Sequence, residues 1–151
     1  MDFIKLGEFE NRIIATRTLN ARSAELVEFP ENISEELTNY LGSQGIEKLY
    51  SHQAEMFDKA CEGSNIVITT STSSGKTLSF LLPVIQKILL DPTARAIFIY
   101  PTKALAHDQY RNMVPILEYF GSKRIQAGIY DGDTPTSERS RIRKNANIIL
   151  T

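Results

Sequence analysis

From residue 66 onward the apolar positions alternate between two kinds of run. Short unbroken stretches occur at Ile66–Thr70, Ala96–Tyr100, Gln126–Tyr130 and Asn147–Thr151. Between them lie longer segments whose apolar residues recur every three or four positions: Gly75–Leu90, Lys103–Tyr119, and a stretch from Asp133 or Thr134 to Asn145. Strands that are apolar throughout, rather than alternately apolar and polar, are buried on both faces. Strand and helix therefore alternate, and the fold class expected is α/β: a parallel sheet with helices on both faces. Asp91-Pro92 closes the first of these helices and Gly121 the second. Pro83 predicts a kink or local break, and Pro115 a bend. Pro135 suits the first turn of the third helix, with Asp133 or Thr134 as its cap.

Upstream, Ser34–Leu41 reads as a helix. Ser34 can cap it, Leu37 and Leu41 lie on one face, and Gly42 and Gly45 end it. Ser51–Cys61 reads as a second helix, with Ser51 as cap and Gly63 as stop. Residues 1–33 have weak periodicity and mixed charge. They are expected to form an irregular N-terminal extension packed on a domain spanning residues 34–151.

The chain has 151 residues, room for one domain with a real core. Its net charge is −1 but unevenly spread: residues 1–60 hold 6 Lys/Arg against 11 Asp/Glu, and residues 61–151 hold 11 against 7. The basic excess thus travels with the second half, a small excess that would suit a polyanion partner. Cys61 is the only cysteine, which excludes an internal disulfide framework. It reads as a buried, inert thiol in a chain suited to the reducing cytoplasm. Met1-Asp2-Phe3-Ile4-Lys5 lacks the basic start of a signal peptide. The longest apolar stretch, Leu78–Leu90, is too short for a bilayer and contains Pro83, Gln86 and Lys87, so no membrane association is expected.

The candidate chemistry centres on Thr70-Ser71-Thr72-Ser73-Ser74-Gly75-Lys76-Thr77, set between the first apolar run and the first long helix. Strand, small-residue loop, Gly-Lys-Thr and helix is the layout of a phosphate-binding loop. Small residues let successive backbone N–H groups converge on a phosphate, and the helix adds its positive end. Thr72, Ser73, Ser74, Gly75, Lys76 and Thr77 are the candidate nucleotide contacts. Lys76 can reach the β and γ phosphates of ATP, and Thr77 can hold Mg²⁺. Thr70 stands where the strict pattern has Gly, and the same residues would also suit a Ser/Thr-rich turn before an ordinary helix.

Three further groups are placed to act with this loop. Gln53, at the start of the preceding helix, carries a donor and an acceptor that can pair with adenine N7 and N6. Tyr50 or Tyr40 can stack on a base, with core packing as the alternative. Pro101-Thr102-Lys103-Ala104-Leu105-Ala106-His107-Asp108-Gln109 follows the second strand at the carboxyl edge of the sheet, where ligands bind. Pro101, Thr102 and Lys103 there offer N–H groups, a hydroxyl and a cation to a nucleic-acid backbone. Tyr130-Asp131-Gly132-Asp133-Thr134-Pro135 ends the third strand. Gly132 permits close backbone approach, and Asp131 and Asp133 suit Asx turns and helix capping better than a calcium loop. Arg139, Arg141, Arg143 and Lys144 can face phosphate or simply water. His52 and His107 have no acidic or serine partner at a telling spacing, and His107 is expected to be exposed.

In order and spacing these motifs resemble the first RecA-like lobe of a superfamily-two helicase over residues 34–151. Gln53 is similar to the glutamine of the Q motif, Thr70–Thr77 to motif I and Pro101–Gln109 to motif Ia. Asp131-Gly132-Asp133 takes the place of a later glycine-containing backbone contact, and Ile148-Ile149-Leu150-Thr151 that of the strand opening motif Ib. Ser73 departs from the glycine many helicases have there. The wording YPTKALAHDQ followed by YDGDTP is similar to the YprA/MrfA-like branch of DEAD/DEAH-box DNA helicases.

The resemblance implies an ATP-binding lobe with Lys76 and Thr77 as its phosphate and Mg²⁺ contacts. It also implies nucleic-acid contacts at Pro101, Thr102, Lys103, Asp131, Gly132 and Thr151, with DNA favoured over RNA, and 3′-to-5′ translocation in DNA repair. The acidic box, arginine finger and second lobe of such enzymes are not in the chain, which reads as part of a longer protein whose remaining lobes are its partners. The chain alone is expected to bind nucleotide weakly, not to hydrolyse it, and to expose an unpaired strand edge. A non-helicase P-loop NTPase and a non-catalytic nucleic-acid-binding module are the alternatives.

Overall fold

Three strands pair in parallel in the order β3-β5-β4: β3 (Ala96–Phe98), β4 (Ala127–Ile129) and β5 (Ile148–Leu150). The structure, a computed structural model, describes residues 25–70, 74–121 and 123–151. Its other elements are β1 (Leu26–Val27), α1 (Glu35–Ser43), β2 (Leu49–Tyr50), α2 (Ser51–Cys61), α3 (Lys76–Leu90), α4 (Lys103–Phe120) and α5 (Thr136–Asn145).

Strand order and helix placement follow from one handedness rule. The chain leaves β3, crosses through α4 to β4 two positions away, then returns through α5 to β5 in between. Parallel crossovers are right-handed. Reversing the direction of travel therefore puts α4 and α5 on opposite faces. The packing agrees. Ile148 and Leu150 join Ala106, Met113 and Ile116 of α4 and Leu82 and Ile85 of α3 in the main core. On the opposite face Gly128 admits Ile142 of α5 so closely that a Cβ there would lie 2.8 Å from Ile142 Cγ1. The α/β class with a helix-covered parallel sheet is thus what the chain adopts.

The N-terminal helices build the other half of the core. Ser34 caps α1, its Oγ accepting from Leu37 N–H at 3.4 Å. Leu37, Leu41, Leu49 and Phe57 are fully buried. Each contributes about 1.5–3 kcal/mol by leaving water. Gln86 of α3 reaches back to the start of α1, accepting from Ser34 N–H at 3.0 Å and donating to Asn32 O at 3.1 Å. Pro83 does not break α3, which runs from Lys76 to Leu90.

Five sequence expectations are corrected. Residues 25–33 are not irregular throughout, because Leu26–Val27 pairs antiparallel with Leu49–Tyr50. Tyr50 rather than Ser51 occupies the N-cap of α2, and Pro135 rather than Asp133 or Thr134 that of α5. Cys61 is exposed, because α2 ends at that residue, one turn beyond Phe57, the last residue it buries. Residues 66–70 form no strand, and Val67 is 88% exposed. A strand exists by virtue of its ladder partner, and no described strand lies beside this segment.

Among the described residues β3 is thus paired on one side only. Ile97 is 65% and Ile99 80% exposed, along an open groove of about 570 Å³ shared with Ile66, Phe80 and Val84. The Tyr100 hydroxyl is buried there with no hydrogen-bond partner among the described residues. An apolar edge strand with unmade bonds invites pairing with another chain. The isolated 151-residue chain is expected to self-associate. A concentration-independent monomer in sedimentation velocity would contradict this.

Candidate nucleotide and nucleic-acid site

Gly75 sits at the N-cap of α3 with φ +74°, a left-handed conformation that side-chain-bearing residues adopt only at a cost. This turn leads from Ser74 into the helix. The first intrahelical bonds run from Leu78 and Ser79 N–H to Gly75 O, so Lys76 and Thr77 open α3 ahead of them. Helix-opening N–H groups at the positive end of a 15-residue helix suit an anion.

Gln53 fixes this turn from the side. It is 4% exposed. Its Oε1 accepts from Tyr50 N–H at 2.9 Å, and its Nε2 donates to Gly75 O at 3.0 Å. An amide oxygen has two lone pairs and its nitrogen two protons. One of each is used within the protein. His52 also reaches the loop, with Nε2 3.0 Å from Ser74 O, and its ring stacks on Tyr50 at 5.6 Å. That stacking and the ladder to β1 place Tyr50 beside the loop. Tyr40 is instead buried against Tyr119 and Phe120.

The Lys76 ammonium bridges the two ends of the loop, 3.0 Å from Thr70 O, 3.3 Å from Thr70 Oγ1 and 3.4 Å from Ser74 Oγ. Thr77 Oγ1 donates to Gln109 Oε1 at 3.1 Å. Gln53, Ser74, Gly75, Lys76 and Thr77 therefore converge at one helix end. Thr72 and Ser73 lie outside the described residues.

The second cluster sits at the carboxyl edge of the sheet. Thr102 caps α4, its Oγ1 accepting from Leu105 N–H at 3.2 Å; such a cap is worth about 1 kcal/mol. Pro101, Thr102 and Lys103 are all exposed. Lys103 Nζ lies 2.8 Å from Asp133 Oδ2, which holds the ammonium above its ordinary pKa. This pair joins the segments after β3 and β4, and so spans the end of β5, where Thr151 is exposed. A Cβ on Gly132 would lie 3.3 Å from Lys103 Nζ, so Gly132 leaves the ammonium its place.

Asp131 organises the turn. Its Oδ1 accepts from Asp133 N–H at 2.8 Å and Thr134 N–H at 3.1 Å, an Asx turn, and Oδ2 faces His107 Nε2 at 3.3 Å. Arg139 closes the turn from below, donating to Thr134 O and Asp131 O at 2.8 Å with its guanidinium over Tyr130. Arg141 pairs with Glu138 instead.

The N–H of Asp133, then the His107 contact, hold the Asp131 carboxyl below its usual value. A depressed carboxylate contributes its stability above the unfolded value of about 3.9 and loses it as pH falls through the folded value. The 131–134 turn should therefore open below that pH. Amide exchange there should accelerate in acid, and Asp131→Asn should abolish the pH step. Unchanged pH dependence in the variant would contradict this.

The profile of the DEAD/DEAH box helicase family matches residues 50–151. The chain belongs to this family. The helicase lobe is 40% identical over 149 residues to the ATP-dependent helicase hrq1 of Schizosaccharomyces pombe, covering 96% of this chain and 14% of that protein. It is 39% identical over 139 residues to the uncharacterized ATP-dependent helicase YprA of Bacillus subtilis, covering 92% and 18%. Among solved structures, the helicase MrfA bound to DNA and AMPPNP matches with a TM-score of 0.81 at 42% identity, over 86% of this chain and 18% of that one. The chain thus spans less than a fifth of the length of these relatives.

Two parts of the helicase lobe's site are not visible in the sequence. Spacing gives His107 no acidic partner, yet Asp131, 24 residues on, faces it. Gln109 reads only as the end of a motif, yet it touches Thr77. In both cases the partners lie on different elements, joined by strand order rather than by spacing. Among the described residues no helix is long and apolar enough to cross a membrane.

Proposed function

We propose that this lobe binds ATP and single-stranded nucleic acid, DNA rather than RNA, within an ATP-driven helicase that acts in DNA repair. The observation that carries the reading is the convergence of Gln53, Gly75, Lys76 and Thr77 at the N-terminus of α3, with Thr77 bonded to the helix that carries Lys103. Gly75 and the helix-opening N–H groups would receive the β phosphate, and Lys76 would exchange its loop oxygens for β and γ phosphate oxygens. The remaining amide proton and lone pair of Gln53 would read adenine N7 and N6.

The donor set fits Mg²⁺ as it is held in nucleotide sites. Thr77 supplies one hydroxyl, and phosphates and waters supply the rest. Among the described residues no three His, Cys, Asp or Glu side chains converge into a protein cage that would suggest another metal. When bound, the ion neutralises charge building on the transferred phosphoryl group. The acidic and arginine groups that complete such a reaction are not in residues 25–151, so the chain by itself should not turn ATP over. Its remaining lobes would supply them. The DNA-bound state of MrfA supports DNA as the nucleic-acid partner.

The nucleic-acid half of the reading is tested at the Lys103–Asp133 pair. A phosphate would occupy the side of Lys103 that Asp133 now faces, so the carboxylate competes with DNA. In the longest protein the gene encodes, Lys103→Ala should weaken single-stranded DNA binding, by about tenfold for one lost charged contact, and flatten the salt dependence by about one unit. Asp133→Asn should tighten it. Fluorescence anisotropy with unchanged affinity in Lys103→Ala would remove Lys103 from the interface.

A further inference from the structure

The Thr77 hydroxyl donates across 3.1 Å to Gln109 Oε1, joining α3 to α4 between residues 32 apart, both half-buried. A hydroxyl has one proton and two lone pairs. A threonine that ligates a cation must turn a lone pair to the metal, so its proton has to go to an acceptor elsewhere. Here that acceptor is the Gln109 carbonyl. Its orientation is favoured by the other end of the amide, where Nε2 faces Asp108 Oδ2 at 3.5 Å. A flipped amide would set its oxygen against that carboxylate. It would also aim an N–H at the Thr77 oxygen, taking one of its two lone pairs and leaving the Thr77 proton without this acceptor.

We propose that Gln109 is a positioning residue for the cation. It takes the Thr77 proton and so presents the Thr77 lone pairs to Mg²⁺, coupling the end of the nucleotide loop to the helix that opens with Lys103. This rests on the assignment of Thr77 as the Mg²⁺ contact. Gln109 itself touches neither nucleotide nor metal. Its carbonyl oxygen is the part that acts, so a carboxylate in its place should serve and an isosteric hydrocarbon should not.

The test is the affinity of a fluorescent ATP analogue, measured in Mg²⁺ and again in EDTA, for the longest protein the gene encodes. Comparing the two conditions isolates the gain due to the cation. Q109L should lose about tenfold of that gain while keeping its affinity in EDTA, and Q109E should retain the gain. T77V should lose it to a similar extent, and Q109L combined with T77V should be no worse than T77V alone. If Q109L keeps the full gain while T77V loses it, the bond only ties two helices and the proposal is overturned. Equal loss in Mg²⁺ and EDTA for both Q109L and Q109E would also overturn it, as a general structural effect. If T77V keeps the gain, the Thr77 assignment fails and the proposal falls with it.

Discussion

Replacing Lys76 by Ala in the longest protein the gene encodes should abolish ATP turnover, by on the order of 10²–10³-fold in kcat, the loss typical of one preorganised charged or polar donor at a developing charge. The basis is geometric. The Lys76 ammonium stands among three loop oxygens, of Thr70 and Ser74, at the N-terminus of α3. An anion at that helix end would take the place of those oxygens. Phosphoryl transfer is stabilised almost wholly by positioning and charge, so the lost cation has no substitute. Steady-state ATPase with matched thermal denaturation checks this. A variant with undiminished turnover would show that Lys76 does not meet the transferred phosphate.

The second large effect is expected at Gly75. Alanine there would hold φ +74°, and its Cβ would fall 2.5 Å from Gln53 Nε2. The left-handed backbone costs about 1–2 kcal/mol for a residue with a side chain. The contact also ejects the Gln53 amide from its bond to Gly75 O and thereby from the place proposed for it at the adenine edge. Gly75→Ala should therefore lower both stability and nucleotide affinity, the latter by about tenfold for one lost buried bond. Gly121 supplies the control. It too has positive φ, +81°, but nothing lies within 4 Å of where an alanine Cβ would stand. Gly121→Ala should cost stability and leave nucleotide affinity alone. Equal nucleotide affinities in wild type and Gly75→Ala would separate Gln53 from the site.

How much of the fold is legible in the sequence depends on the range of the interaction. Helix caps are set within four residues, and Ser34 and Thr102 are readable as such. The unbroken apolar runs at Ala96, Gln126 and Asn147 are readable as parallel strands, although β3 leaves Ile97 65% exposed. The run at Ile66 has the same composition yet forms no strand. Its pattern reports what the segment can bury, and a ladder needs a neighbour that no local pattern supplies. Cys61 illustrates the opposite error, since residue type suggests burial while the end of α2 places it in water.

The candidate site divides in the same way. Gly75, Lys76 and Thr77 are contiguous, and their common location follows from the motif. Lys103 with Asp133, His107 with Asp131, and Thr77 with Gln109 are 24 to 32 residues apart. The strand order brings the first two pairs together, with β4 two places from β3. The third depends on α3 and α4 covering one face of the sheet. Spacing alone contains neither fact.

The most direct measurement is ATP hydrolysis by the longest protein the gene encodes, with and without single-stranded DNA. An ATP-driven nucleic-acid motor, with this chain as its first lobe, predicts strong stimulation by DNA. Robust hydrolysis indifferent to DNA and RNA would contradict the account and make the Gly-Lys-Thr loop that of a non-helicase P-loop enzyme.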